Sequence, residues 1–575
     1  MNHGDFNTFE VYGLCFVIAT VSVSLISLVL SQLFGFSVLL FIILFIALLI
    51  LSAELRNANL KYKRGGIINN KSEIIVFFLL ILILYKLIRL FLFSINGEII
   101  KSVSSNMMME FTLISSMKNG INNRRGMIFG IRNPLVEGII MRSGVITSAF
   151  STLMSIGGAD TEGAICLTFA ILFLSVFHLQ YSLTYRYTNS KVLSYLSVPT
   201  LFLIGGFGFV NYINNNDRNN PSIDYIYDLG SSGMNNWGHP TLHCFLSSPT
   251  SLLCAALSIS CFLFYEIGLY KHGGVFVIIS CIVCSKFGFV QLVFYFYVNW
   301  KQSKYGLRNV LLPSICFLLV SGFRFSITKP IWDYGLSFQS IIPFIYHIAS
   351  VFGVLIVFIF VGCLTKMNYN MIGFIFVVYY VFGYISFQNE IRYNFLVYFP
   401  ALFPILIAIA MDGVQSIISK ISLDELRGSI KVICGFLFVT MWLSSIAGIY
   451  QQYGNNVIMY EIDETEISEW ITYNTPKNSF VYSPVSISWN PAAILSGRQL
   501  YTVHNSYLPE LLYKLEWMNE RYSVLNLSSQ IVQKANYILV KIDGEWFNVI
   551  DNEIGKLFQL EFSNDKYMLV SLVKK

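Results

Sequence analysis

Apolar runs of about 20 residues, recurring along most of the chain, constrain this sequence more than anything else in it, because a run of that length in helical form crosses the hydrocarbon core of a bilayer. Backbone polar groups inside lipid must be satisfied within the segment, so such runs fold as helices. The 575 residues are 55% hydrophobic and only 12% charged, with a mean hydropathy of +0.62. That composition excludes a soluble or nucleic-acid-binding protein. The formal charge of +6 sits largely in short loops, as the positive-inside rule requires.

Two apolar runs, about 11–33 and 36–53, are split by Phe34-Gly35. The basic loop that follows (Arg56, Lys61, Lys63, Arg64, Lys71) is expected in the cytoplasm, and with it the N-terminus. Residues 74–94 cross outward. The first outer loop, 95–160, carries Glu98, Lys101, Glu110, Lys118, Arg124, Arg125, Arg132, Glu137 and Arg142. Its part from 138 to 156 is expected to lie along the outer surface as an amphipathic helix. Crossings are then expected at 162–182, 191–213 and 247–268. The segment 274–299 is broken at Ser285-Lys286-Phe287-Gly288, and two half-helices meeting at Lys286 keep Lys301, Lys304 and Arg308 on the cytoplasmic side. Further crossings fall at about 308–325, 341–364, 371–387, 394–412 and 431–450. The expected fold class is a polytopic α-helical membrane protein of about 12–13 spans with a small C-terminal α/β extracytoplasmic domain. The spans occupy 1–450 and the domain 451–575.

That tail changes character. Val457–Ile462, Phe480–Tyr482, Leu500–Val503, Tyr537–Ile542 and Tyr567–Leu572 read as strands, and 464–473 and 508–520 as helices. Asp463 is expected as an N-cap, with Glu466 completing a capping box. Asn526-Leu527-Ser528 is an acceptor sequon should the outer face be an ER lumen. All ten Cys lie before residue 435, so the tail is no disulfide-built module. Cys281 and Cys284 form a CxxC inside an apolar segment, without partner ligands, and read as helix packing.

Polar residues expected on the outer face are the candidate site. Glu390, Arg392 and Tyr393 stand at the mouth of an apolar helix, either as interfacial anchors or as the wall of a polar site. Lys286 is a phosphate contact or a snorkelling lysine. Asp224, Asp228 and His239 come from the loop 214–246, where the aspartates equally suit solvated positions. Glu110 is a carboxylate of the site or the water-facing side of a helix. A transferase acting on a lipid-phosphate donor needs a carboxylate to take the acceptor's proton, and cations or a carboxylate-held metal to receive the leaving phosphate.

Four features resemble the GT-C superfamily, multi-pass glycosyltransferases that use polyprenyl-phosphate-linked sugars. They are the long acidic first outer loop with its surface helix, and Ser285-Lys286-Phe287-Gly288 between two short helices. Next comes Arg392-Tyr393 followed by Pro400 and Pro404. The last is the tail series Glu469-Trp470-Ile471, Asn474-Thr475-Pro476, Trp489-Asn490-Pro491-Ala492-Ala493 and Ser496-Gly497-Arg498-Gln499-Leu500-Tyr501. The tail series is similar to the extracytoplasmic domain of a largely uncharacterised GT-C-like group. The resemblance implies a GT-C fold and sugar transfer from a polyprenyl-phosphate donor to a glycan, lipid or protein acceptor. It makes Glu98 or Glu110 the general base, and Lys286, Arg392 and Tyr393 the donor-phosphate contacts. Glu390 and Arg498 are further candidates, and a divalent cation (Mg2+ or Mn2+) is a possible cofactor. The sequence departs from the family in lacking an acidic pair in its first outer loop, where the glutamates are single and separated. A polysaccharide polymerase or flippase-type transporter, or a non-catalytic scaffold, is the alternative. The bacterial inner membrane and the ER membrane fit equally.

Overall fold

The computed structural model describes residues 8–47, 50, 71–96, 99–102, 107–124, 131–134, 140–141, 144–203, 245, 248–302, 306–325, 353–366, 391–454, 457–483, 490–500, 535–544 and 546–573. Among these, five helices are long and apolar enough to cross a membrane: Phe9–Phe34, Thr161–Thr188, Pro249–Glu266, Leu402–Ser419 and Leu426–Leu443. Shorter apolar helices include Val38–Ala47, Lys191–Leu203, Tyr270–Val283 and Leu355–Leu364. The protein is a polytopic helical membrane protein with a small C-terminal sheet domain. The expected crossing at 371–387, the helix at 508–520, residues 501–503 and the sequon at 526–528 lie outside the described residues.

The chain divides into two compact units, and both are discontinuous. One combines 1–19 with 169–456, and the other combines 20–168 with 457–575. The first outer loop therefore groups with the C-terminal domain, across the boundary expected near residue 450.

In the helical unit, the Tyr270–Val283 and Ser285–Gln302 helices form an antiparallel hairpin. Cys284 between them is extended (φ −154°, ψ 111°). A Cβ built on Gly288 would lie 2.4 Å from Cys281 Cα, and one on Gly274 would lie 2.7 Å from the Tyr295 hydroxyl. Tyr295 also donates to Tyr270 O at 3.1 Å. Residues 7, 21 and 25 apart in sequence touch in this way only if the chain reverses at 284–285, since seven residues of straight helix span about 10 Å. The first arm has 14 residues, short of the roughly 20 needed to cross a bilayer. The break expected at 285–288 is thus a reversal of the chain. The Leu355–Lys366 and Ile391–Ser419 helices are packed with backbone against backbone. Cβ atoms on Gly362 and Gly413 would each fall 2.0 Å from a carbonyl oxygen of the other helix, those of Ile409 and Phe358 respectively. Small residues permit this approach where helices associate in lipid. At one end of the bundle the buried Glu10 pairs with Arg186.

In the other unit, a five-stranded mixed sheet has the order β7-β6-β8-β10-β9. Its strands are β6 (Phe480–Tyr482), β7 (Gln499–Leu500), β8 (Tyr537–Lys541), β9 (Phe558–Ser563) and β10 (Tyr567–Leu572). Strand periodicity sends alternate residues to opposite faces. Leu539, Tyr567 and Leu569 pack with Ile467 and Ile471 of the Ile462–Asn474 helix. Ile538, Val540, Met568 and Val570 pack with Ile550 and Phe558 on the other face. β9 was not expected, although Phe558, Leu560 and Phe562 alternate with polar residues. A second sheet joins the hairpin β1 (Phe93–Asn96) and β2 (Ile99–Ser102) of the first loop to β5 (Val457–Tyr460), and a third, two-stranded, pairs β3 (Ile131–Arg132) with β4 (Ile140–Met141). The helix after β5 is capped two residues earlier than expected. Glu461 is the N-cap, and its N–H donates to Glu464 at 3.0 Å.

Candidate active site

Glu110 sits in the first turn of the Met107–Lys118 helix, where the helix dipole favours a carboxylate. The water-facing alternative is excluded, because Glu110 is 3% exposed. It accepts a hydrogen bond from Ser148 Oγ at 2.6 Å. Ser148 lies on the Val145–Ile156 helix, which packs on the Met107–Lys118 helix. That second helix was expected along a surface, yet Val145–Leu153 is buried throughout. Its Ser and Thr residues are what made it look amphipathic, and they are satisfied internally: Ser151 bonds Thr168 at 2.8 Å and Thr152 bonds Ser148 O at 2.7 Å. Lys118 donates to Ser155 Oγ at 3.0 Å, and burial pushes its pKa down.

The same unit holds an acidic pair that the sequence reading missed, at the end of the first loop. Asp160 accepts from Gly163 N–H at 2.8 Å, as an N-cap does, and from Arg89 Nη2 at 2.5 Å. Arg89 also donates to the Tyr85 hydroxyl at 2.7 Å. Glu162, two residues on, is buried and accepts from the Tyr460 hydroxyl at the end of β5. Burial, then the Glu162 charge, pushes the Tyr460 phenol well up, so it remains a donor. The Tyr460 ring lies 6.1 Å from that of Phe111, the neighbour of Glu110. The signal was the phrase Ala159-Asp160-Thr161-Glu162 opening an apolar helix, a capping pattern followed by acid in the first turn.

Lys286 and Arg392 belong to the helical unit. Lys286 is the second residue of the Ser285–Gln302 helix, just after the reversal. Arg392 and Tyr393 are the second and third residues of the Ile391–Ser419 helix. These two helices pack against each other. Both cation positions are thus in the first turn of a helix, where free N–H groups and the dipole favour an anion. The side chains of Lys286, Arg392 and Tyr393 lie outside the described residues, as do Glu98, Asp224, Asp228, His239 and Glu390 altogether. Among the described residues no three of His, Cys, Asp and Glu are grouped to hold a metal ion.

Arg498, the candidate from the tail, is fully buried, and its guanidinium is hydrogen-bonded within the fold. Nε donates to Thr475 Oγ1 at 2.9 Å, and Nη1 to Asn119 O and Ser496 O at 2.7 and 2.9 Å. Nη2 faces Ile471 O, Thr472 O and Thr475 O at 3.0–3.2 Å. It closes the C-terminal end of the Ile462–Asn474 helix, whose last carbonyls have no intrahelical partner, and ties it to the end of the Glu110 helix. Burial lowers its pKa to about 10. Gly497 beside it (φ +68°) leaves no room for a side chain, since a Cβ would lie 2.3 Å from Ser115 O. The two tail phrases around Trp470 and Arg498 are therefore one structural device.

No family model and no curated protein matches the chain. Among solved structures it is similar to ArnT from Cupriavidus metallidurans bound to undecaprenyl phosphate, with a TM-score of 0.47 and 10% identity over 87% of this chain and 98% of that one. The apo state of ArnT gives a TM-score of 0.48 at the same identity and coverage. The archaeal oligosaccharyltransferase AglB from Archaeoglobus fulgidus, in complex with an inhibitory peptide and a dolichol-phosphate, gives 0.35 and 11% identity over 82% of this chain and 70% of that one.

Proposed function

We propose that the protein is an integral membrane glycosyltransferase that moves a sugar from a polyprenyl-phosphate donor to an acceptor hydroxyl or amide on the extracytoplasmic face. One observation carries the reading. The two cations singled out by the sequence, Lys286 and Arg392, both open helices of the same packed bundle. A helix N-terminus with a cation in its first turn suits a phosphate that gains charge as it leaves. The reaction is a displacement at the sugar's anomeric carbon. The acceptor atom forms its bond there as the bond to the phosphate oxygen breaks. A carboxylate takes the acceptor's proton, and the lipid phosphate departs towards Arg392 and Lys286.

Glu98 is the better base of the two first-loop glutamates. Glu110 is buried and already hydrogen-bonded to Ser148, which suits a group that holds the loop in shape. The same burial favours a second reading, a non-catalytic GT-C-like scaffold.

The test is transfer of labelled sugar from polyprenyl-phosphate donors by membranes carrying the wild-type chain, Glu98→Gln, Glu110→Gln, Lys286→Ala or Arg392→Ala. Loss of transfer in Glu98→Gln and Arg392→Ala at unchanged protein level is the expected result. Transfer indifferent to both would remove this site. No transfer by well-folded wild type from any donor would favour the scaffold.

A further inference from the structure

The turn at Phe34–Phe36 ends the Phe9–Phe34 membrane helix and starts the apolar Val38–Ala47 helix. Leu33, Val38 and Leu39 around it are exposed, and on a membrane helix such residues face lipid. The turn therefore marks a boundary of the bilayer. Asn123 of the first loop is fixed to it: Phe36 N–H donates to Asn123 O at 2.9 Å, and Asn123 Nδ2 donates to Phe36 O at 3.1 Å. The next residue, the exposed Arg124, lies directly over Gly35, whose Cβ would be 3.3 Å from Arg124 Cγ.

The C-terminal domain brings a second cation to this place. Arg498 bonds Asn119 O on one side and the Thr472 and Thr475 carbonyls on the other. The end of the Ile462–Asn474 helix is thereby held beside the 119–124 turn. Tyr473, at 84% exposure, and Lys477, also exposed, project from that end. The Lys477 pKa is lowered first by burial and then by the charges of Arg498 and Arg124. Among the described residues no carboxylate forms an ion pair with Arg124 or Lys477.

We propose that Arg124 and Lys477, with Tyr473 beside them, form a docking surface for the phosphate headgroup of an anionic phospholipid. Cations at the edge of a lipid-facing turn complement negatively charged headgroups, and an exposed tyrosine suits the same depth. This goes beyond the transferase reading and stands whether or not the protein transfers sugar.

The full chain, in nanodiscs of phosphatidylcholine with a minority of phosphatidylglycerol, would be compared with Arg124→Gln/Lys477→Gln and with Lys556→Gln, an exposed lysine elsewhere on the sheet domain. Phosphatidylglycerol retained after detergent extraction is read by native mass spectrometry. Wild type and Lys556→Gln are expected to retain it in preference to phosphatidylcholine. The double variant is expected to lose about fivefold of that preference per cation. Unfolding midpoints in phosphatidylcholine alone check the fold, and Lys477→Gln alone serves if the double variant is less stable. Equal preference in wild type and variants overturns the proposal. So does protection of wild type by inorganic phosphate equal to that by phosphatidylglycerol, which would mark a site for a soluble anion.

Discussion

Gly288 lies on the backbone of Cys281. A Cβ there would come within 2.4 Å of Cys281 Cα and 2.6 Å of its N. The hairpin that places Lys286 at its reversal depends on that contact. Backbone has nowhere to move, so Gly288→Ala is expected to cost more than the roughly 1–3 kcal/mol of ordinary overpacking. It should lower the yield of monodisperse protein in detergent chromatography. Gly435→Ala, with open space around the glycine, is the control and should behave as wild type.

Arg498→Ala leaves several buried carbonyls without a donor, and buried unsatisfied groups are costly. A loss of about 1–3 kcal/mol for each group left unsatisfied is expected, read as a large fall in thermal unfolding midpoint. Arg498→Lys should rescue little, because one ammonium cannot reproduce a planar fork that faces carbonyls from three directions.

Tyr460→Phe removes the donor to Glu162 and leaves a buried carboxylate with one partner fewer. A hydrogen bond to a charged group contributes about 1.5–3 kcal/mol. Faster proteolytic release of the segment after residue 457 is the expected outcome. Tyr473→Phe, at an exposed position, should leave the rate unchanged.

Lys566 pairs with Glu461 and stands 3.8 Å from both Asp463 and Glu464. Its pKa is raised, chiefly by the bond to Glu461. A raised lysine contributes stability that is fully present below its unfolded pKa, about 10.4, and is lost as pH rises through the folded value. The gap in unfolding midpoint between wild type and Lys566→Met should therefore hold at neutral pH and close above about pH 10.4. The pair is partly exposed, so the neutral-pH effect is under about 1 kcal/mol and shrinks with salt.

The sequence by itself determined the membrane class, the positions of most helices and the change of character near residue 455. These follow from local chemistry: an apolar run of sufficient length must be a helix in lipid, and period-two alternation makes Tyr537–Lys541 and Tyr567–Leu572 strands. It also marked the break at Lys286 and the helix mouth at Arg392, because charges and glycines in apolar runs are visible without any fold. Only the tertiary structure decided what the polar residues do. Glu110 could be read as a carboxylate of the site or as a water-facing acid, and what it does in the fold is accept a hydrogen bond from Ser148, 38 residues away. Arg498 looked like a binding residue, but its partners include Asn119, 379 residues earlier. Asp160 and Glu162 became a pair with Arg89 and Tyr460 only when the first loop and β5 came together. Burial and hydrogen-bond satisfaction depend on residues distant in sequence, and no local pattern encodes them.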